Sequence, residues 1–164
     1  MTETGTLVAL LGECYREKLA MLLRHQAGAT LVAQYDANNT YQYIINREEA
    51  HLSWLAKAID ELGGTVTDQV ASPRVVAGRG DAASHQIFDE DARDARAFVE
   101  RWRPRAESLG NARHARMLKL ILGEVLEHER FFQQALAGRT DLLGRRAQQT
   151  GPAKGEVLST RWIE

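Results

Sequence analysis

Two short segments of this 164-residue chain carry residue types whose spacing could do chemistry. Glu48 stands three residues before His51, and Glu124 stands four residues before His128. Either spacing puts the two side chains on one helix face, about one turn apart. In both cases that face is the apolar one. Tyr41, Ile44, Leu55, Ala58 and Leu62 share a stripe with Glu48 and His51, and Met117, Ile121, Phe131 and Ala135 share one with Glu124 and His128. A third acid, Asp91, falls on a stripe with Phe88, Ala95, Phe98 and Trp102. Charged groups on a core-facing stripe are costly unless they are paired or bound to a metal. The pattern points to a buried cluster of carboxylates and imidazoles.

Four helices must position that cluster. The first is expected over about Gly5 to Gln26, with Val8, Leu11, Tyr15, Leu19, Leu22 and Gln26 on its inner stripe. The second runs from about Leu31 to Leu62 and is stopped by Gly63 and Gly64. The third begins near Ser84, and Pro104 should kink or end it. Gly110 and Asn111 read as a stop followed by an N-cap, so the fourth helix spans about Ala112 to Leu136 and ends at Gly138. Tight turns within the first and last pairs make each pair antiparallel. Between the pairs lies a glycine-rich stretch from Gly63 to about Ala83, with an extended piece expected at Arg74 to Val76. A connection of some twenty residues can reach ~65 Å, whereas a helix of about twenty-five residues is ~38 Å long. The middle loop can therefore cross the whole bundle. The expected fold is all-α, a four-helix bundle over residues 1–139 with one long crossover between helices two and three. Residues 140–164 form a C-terminal extension whose Val157 to Ile163 segment reads as a strap on the bundle or on another subunit.

Composition excludes several classes. With a formal net charge of −1 there is no general pull toward nucleic acid or anionic membrane. Arg93, Arg96, Arg101, Arg103 and Arg105 alternate with acids and read as a solvated face. Cys14 is the only cysteine, which rules out an internal disulfide and suits a reducing compartment, with Cys14 itself a small buried hydrophobe. Leu7 to Leu11 is too short for a signal-peptide core or a membrane span, so a cytoplasmic location is expected. His25 reads as a dipole partner at the end of the first helix, and His85 and His114 as surface residues near helix starts. Glu127 and Glu129 are expected to face solvent, with Glu127 the alternative to Glu124 if the register shifts by one.

The segment Glu48-Glu49-Ala50-His51-Leu52-Ser53-Trp54-Leu55 resembles the second-helix Glu-x-x-His motif of the ferritin-like superfamily, of the rubrerythrin and bacterioferritin type. The resemblance covers roughly Leu7 to Leu136. It implies two iron ions at the bundle centre, with Mn or Zn as alternatives. Glu48 would be a bridging carboxylate, His51 and His128 terminal ligands, and Asp91 the third-helix acid. Three positions depart from the family pattern. Val125 stands three residues before His128, where a carboxylate would fall, and Glu124 is its substitute. The third-helix acid is Asp in place of the usual Glu. The first-helix ligand position lands near Tyr15, flanked by Glu13 and Glu17, and Tyr15 itself could serve as a ligand or radical site.

Two functions follow as expectations. One is a dimetal oxidase or peroxidase handling Fe(II), dioxygen or peroxide. With one cysteine there is no rubredoxin-type iron site, so it would need an external electron donor. The other is a metal-free bundle acting as a binding or structural module, its five polar residues forming a hydrogen-bonded network. A homodimer is expected in either case.

Overall fold

A computed structural model describes residues 3–67 and 74–143. Its elements are four long helices: α1 (Glu3–Ala29), α2 (Tyr35–Glu61), α3 (Gly80–Glu107) and α4 (Ala112–Leu136). Among the described residues there is no strand, and Arg74 to Ala77, expected in part as an extended piece, form none. α1 packs mainly on α2, and α3 on α4. Leu11, Ile44, Leu55, Ile59, Ile87, Phe98, Trp102, Ile121, Val125 and Phe132 fill the space between the four helices. Cys14 is buried among them as a free thiol.

Helix ends follow local chemistry, with some shifts from expectation. α1 runs past Gln26 to Ala29, and the backbone N–H of Leu31 then donates to Gly28 O at 2.9 Å. α2 starts at Tyr35, four residues later than expected. Asn38, a poor helix former, sits in its first turn, where its amide donates to Ala29 O at 2.8 Å and ties the two helices together. α3 starts at Gly80 and continues through Pro104 to Glu107. Pro104 removes one N–H from the ladder without ending the helix. Asn111 caps α4 as expected, its side chain accepting from His114 N at 3.1 Å. Gly63 and Gly138 stop α2 and α4 at φ +79° and +83°, a conformation that other residues rarely adopt.

Residues 62–79 join α2 to α3. Gly64 packs against Val8, near the start of α1, while the side chain of Arg74 lies against Gly28, near its end. Those two α1 positions are about 30 Å apart along the helix. The Arg74 side chain thus lies in the half of the bundle opposite Gly64. Of the C-terminal extension, Leu142 is buried, and the Val157 to Ile163 segment lies outside the described residues.

Candidate functional site

The inner stripes of α2 and α3 fall where the periodicity placed them. Glu48, His51 and Asp91 have no solvent exposure, and neither does His128 on α4. On α4 the stripe is rotated by one residue. Val125 points into the core, and Glu124 lies at its edge with its side chain 17% exposed. On α1 the stripe runs through Leu11, Cys14, Lys18, Met21, Leu22 and His25. Lys18 and His25, two turns apart, therefore face the centre, fully buried. His25 is thus a member of the cluster and not a surface partner of the α1 dipole.

Each of the three carboxylates already holds donors supplied by the protein. Lys18 Nζ donates to Glu48 Oε1 at 2.7 Å. His25 Nδ1 is 2.8 Å from Glu48 Oε2, and its Nε2 is 3.7 Å from Asp91 Oδ1. Tyr41 donates its hydroxyl to Asp91 Oδ2 at 2.5 Å, and Arg74, from the crossover, pairs with both Asp91 oxygens. Arg47 clamps Glu124 through Nη2 to Oε1 at 2.7 Å and Nε to Oε2 at 2.9 Å. His51 Nε2 is 2.7 Å from Glu124 Oε2. Every oxygen of Glu48, Asp91 and Glu124 is engaged.

Electrostatics follow from that pairing. Burial alone would raise the Glu48 carboxyl, but the charges of His25 and Lys18 and the His25 hydrogen bond hold it well below the usual carboxylate range. Burial would lower His25, yet Glu48 and Asp91 push it up. Glu124 is pulled down to about 2, because hydrogen bonds from His51 and Arg47 overcome its desolvation. Tyr41 is raised well above its ordinary value by burial and by Asp91. His51 is lowered chiefly by burial. His128 is driven down to about 3, because burial disfavours its charged form and Lys18 adds to that.

One corner of the cluster is different. Both ring nitrogens of His128 and Nδ1 of His51 are buried without a hydrogen-bond partner. The two rings stack with centroids 6.3 Å apart, and Tyr43 meets His128 edge-on.

Two first-helix candidates, Glu13 and Glu17, face elsewhere. Glu13 is bound by Arg105 Nη1 at 2.8 Å and Nη2 at 2.5 Å, and Glu17 by Arg101 Nη2 at 2.6 Å and Trp102 Nε1 at 3.0 Å. Both acids clamp α1 to the outer side of α3. Tyr15 lies in the core. Glu129, expected in solvent, is buried and accepts from Arg96 Nη2 at 2.6 Å. Glu127 lies outside the cluster, with Tyr43 Oη 3.4 Å from its Oε2.

Several solved structures share this architecture. A bacterioferritin of Desulfovibrio desulfuricans, described with a diiron site, aligns over 93% of this chain and 95% of its own, at 20% identity and a TM-score of 0.70. A dodecameric, bacterioferritin-related thioferritin of Bacteroides fragilis aligns over 83% and 87%, at 19% identity and a TM-score of 0.69. The chain has a ferritin-like fold. A ferritin-like, diiron-carboxylate protein of Bacillus anthracis also matches, over 83% of this chain and 99% of its own, at 20% identity and a TM-score of 0.61. No protein-family model matches the chain, and comparison with curated proteins gives no match.

A ferritin-like bundle of this kind raises the question of two metal ions at its centre. The donor set does not fit them. Among the described residues, no group of three or more His, Cys, Asp or Glu side chains converges to hold a metal ion. The oxygens that would bind are taken, and the ammonium of Lys18 stands beside Glu48. A divalent ion about 4 Å from a unit positive charge is repelled by about 8 kcal/mol at an effective dielectric of 20. Lys18, Arg74 and Arg47 balance Glu48, Asp91 and Glu124 one for one, which is the charge compensation that metal ions would otherwise supply.

Proposed function

We propose that this chain is a metal-free ferritin-like bundle serving as a structural or binding module. Its centre is closed by its own ion pairs. The observation that carries this reading is the contact between Lys18 and Glu48, 2.7 Å apart with both side chains fully buried. A buried ammonium is tolerated only where a carboxylate compensates it, and here that carboxylate is the one the ferritin-like resemblance makes a bridging ligand. The oxidase or peroxidase reading lacks such support, because Glu48, Asp91 and Glu124 have no free oxygen to offer. Self-association is part of the proposal, and the dodecameric neighbour is consistent with it. A cytoplasmic location fits the single buried thiol, and no described helix is long and apolar enough to cross a membrane.

The test is metal analysis of protein purified from iron- and manganese-supplemented cells, repeated after anaerobic Fe(II) addition and re-exposure to air. Far fewer than one ion per chain is expected. A stoichiometry of about two would overturn the reading. The unpartnered nitrogens of His128 and His51 favour a second one, a single divalent ion held by those two imidazoles alone. About one ion per chain, lost in His128→Ala, would support that instead.

A further inference from the structure

A cleft separate from the central cluster lies between α2 and α4, about 20 Å along α4 from His128. Its volume is about 330 Å³, near the lower end of small-molecule sites. Trp54, Met117 and Leu120 supply apolar walls, and Lys57 and Arg113 are the cations on its rim. Leu120 is 53% exposed, so the apolar surface is open to solvent.

Two independent features give this cleft a preference for negative charge. His114, also in its lining, is not the surface residue expected from the sequence: it is 5% exposed, because it lies on the buried face of α4, and neither ring nitrogen has a hydrogen-bond partner. A buried, unsatisfied imidazole costs stability unless something supplies its partner. The second feature is the helix end. The first turn of α4 contains no acidic residue, and carries Arg113 and His114 where an acid would complement the positive end of the dipole. Glu61 pairs with Arg113 at 2.8 Å, which leaves the Lys57 charge on the rim uncompensated by it.

We propose that this cleft binds a small aromatic carboxylate. The ring would lie against Trp54, Met117 and Leu120, and the carboxylate would meet Lys57 and accept from His114. The inference is independent of the central ion pairs, and stands whether or not the bundle centre takes metal.

The experiment is a titration of the full chain with benzoate at constant ionic strength, followed by NMR at the Trp54 indole N–H, the His114 ring and the Met117 methyl. Benzyl alcohol, a neutral molecule of the same size, is the control. Benzoate should give saturable shifts confined to those groups, and benzyl alcohol should bind at least about tenfold more weakly, a difference of ~1.4 kcal/mol. Leu120→Glu, at an exposed position that keeps the fold, should abolish benzoate binding. His114→Phe should weaken it about tenfold or more. Equal binding of the two molecules, non-saturating shifts, shifts elsewhere, or unchanged binding in Leu120→Glu would each overturn the proposal.

Discussion

The side chain of Arg74 occupies the space that a Cβ on Gly28 would need, and it is through this gap that the crossover reaches Asp91. Gly28 ends the inner stripe of α1, and Ile87 of α3 closes the other side of the passage. Arg74 and Asp91 are both buried, at 2% and 0% side-chain exposure, so their pairing is a feature of the core. Gly28→Ala should displace the guanidinium and leave Asp91 with Tyr41 and a distant His25. Breaking a buried pair in this way costs roughly 3–5 kcal/mol. Urea unfolding should show that loss for Gly28→Ala and a similar one for Arg74→Met. The double variant should lose little more than either alone, because both remove the same interaction. Fully additive losses would mean that Gly28 and Arg74 act separately.

The pairing of Lys18 with Glu48 leads to a different comparison. Lys18→Met leaves an uncompensated buried carboxylate and should destabilise the fold by about 3–5 kcal/mol. Adding Glu48→Gln should restore much of that, because the remaining polar group is neutral and keeps His25 as a partner. Thermal unfolding of the two singles and the double gives the coupling directly. A double variant less stable than Lys18→Met alone would show that Glu48 holds the core together through something other than its charge.

Acid stability tests the state of the imidazoles. His128, pushed down to about 3, ordinarily titrates near 6.5 when unfolded. Between those values the unfolded chain binds a proton that the folded chain refuses. Stability therefore falls as the pH falls, by up to ~1.4 kcal/mol per unit from this one group. His51, also lowered, adds to the slope. His25 is raised, so its contribution is complete below about pH 6.5 and is lost only as the pH rises through its folded value. It offsets nothing on the acid side. Glu48 and Glu124, both lowered, add stability present above about pH 4.3 and lost below it. The unfolding free energy should thus start to drop near pH 6.5, well before the carboxylates titrate. His128→Leu, which also removes two unpartnered ring nitrogens, should flatten that drop between about pH 6.5 and 4.5 and leave stability near pH 5 equal or higher. An unchanged slope would show that His128 is not buried in its neutral form.

How much of this was legible in the sequence depends on which residues carried the pattern. The inner faces of α2 and α3 could be read because their apolar residues outnumber the polar ones that share the stripe. That placed Glu48, His51 and Asp91 correctly in the interior. On α1 the same reasoning slipped by about one position. Leu19 was the obvious apolar choice, while the truly inward residue beside it is Lys18, and a lysine reads as surface unless its partner is known. The partner lies thirty residues away on another helix. His25 was misplaced for the same reason. On α4, Glu124 and Val125 are neighbours, and the metal-ligand expectation favoured the acid over the valine that faces the core. Arg74 carries no local signal at all. Its role depends on a crossover that brings residue 74 beside Gly28, a contact that helical periodicity cannot reveal. The sequence thus showed where buried charge was needed, and the compensating cations came from positions that looked like surface and loop.

If Lys18 is what keeps divalent ions out, replacing it should let them in. Lys18→Glu removes the ammonium and sets a fourth carboxylate near Glu48, Asp91 and His25. Without metal this variant should be much less stable than the parent, because like charges gather in the dry centre of the bundle. Zn(II) or Mn(II) should then restore stability by mass action, by ~2.7 kcal/mol at a free concentration one hundred times Kd. The readout is the melting temperature of parent and variant with each ion, checked against Mg(II), which dehydrates reluctantly and prefers to keep its waters. The parent should not respond, and the variant should rise with Zn(II) or Mn(II) and stay low with Mg(II). A parent that shifts as far as the variant would show that the resident ammonium is no barrier. The ion-paired centre would then be only one of two states that this bundle can adopt.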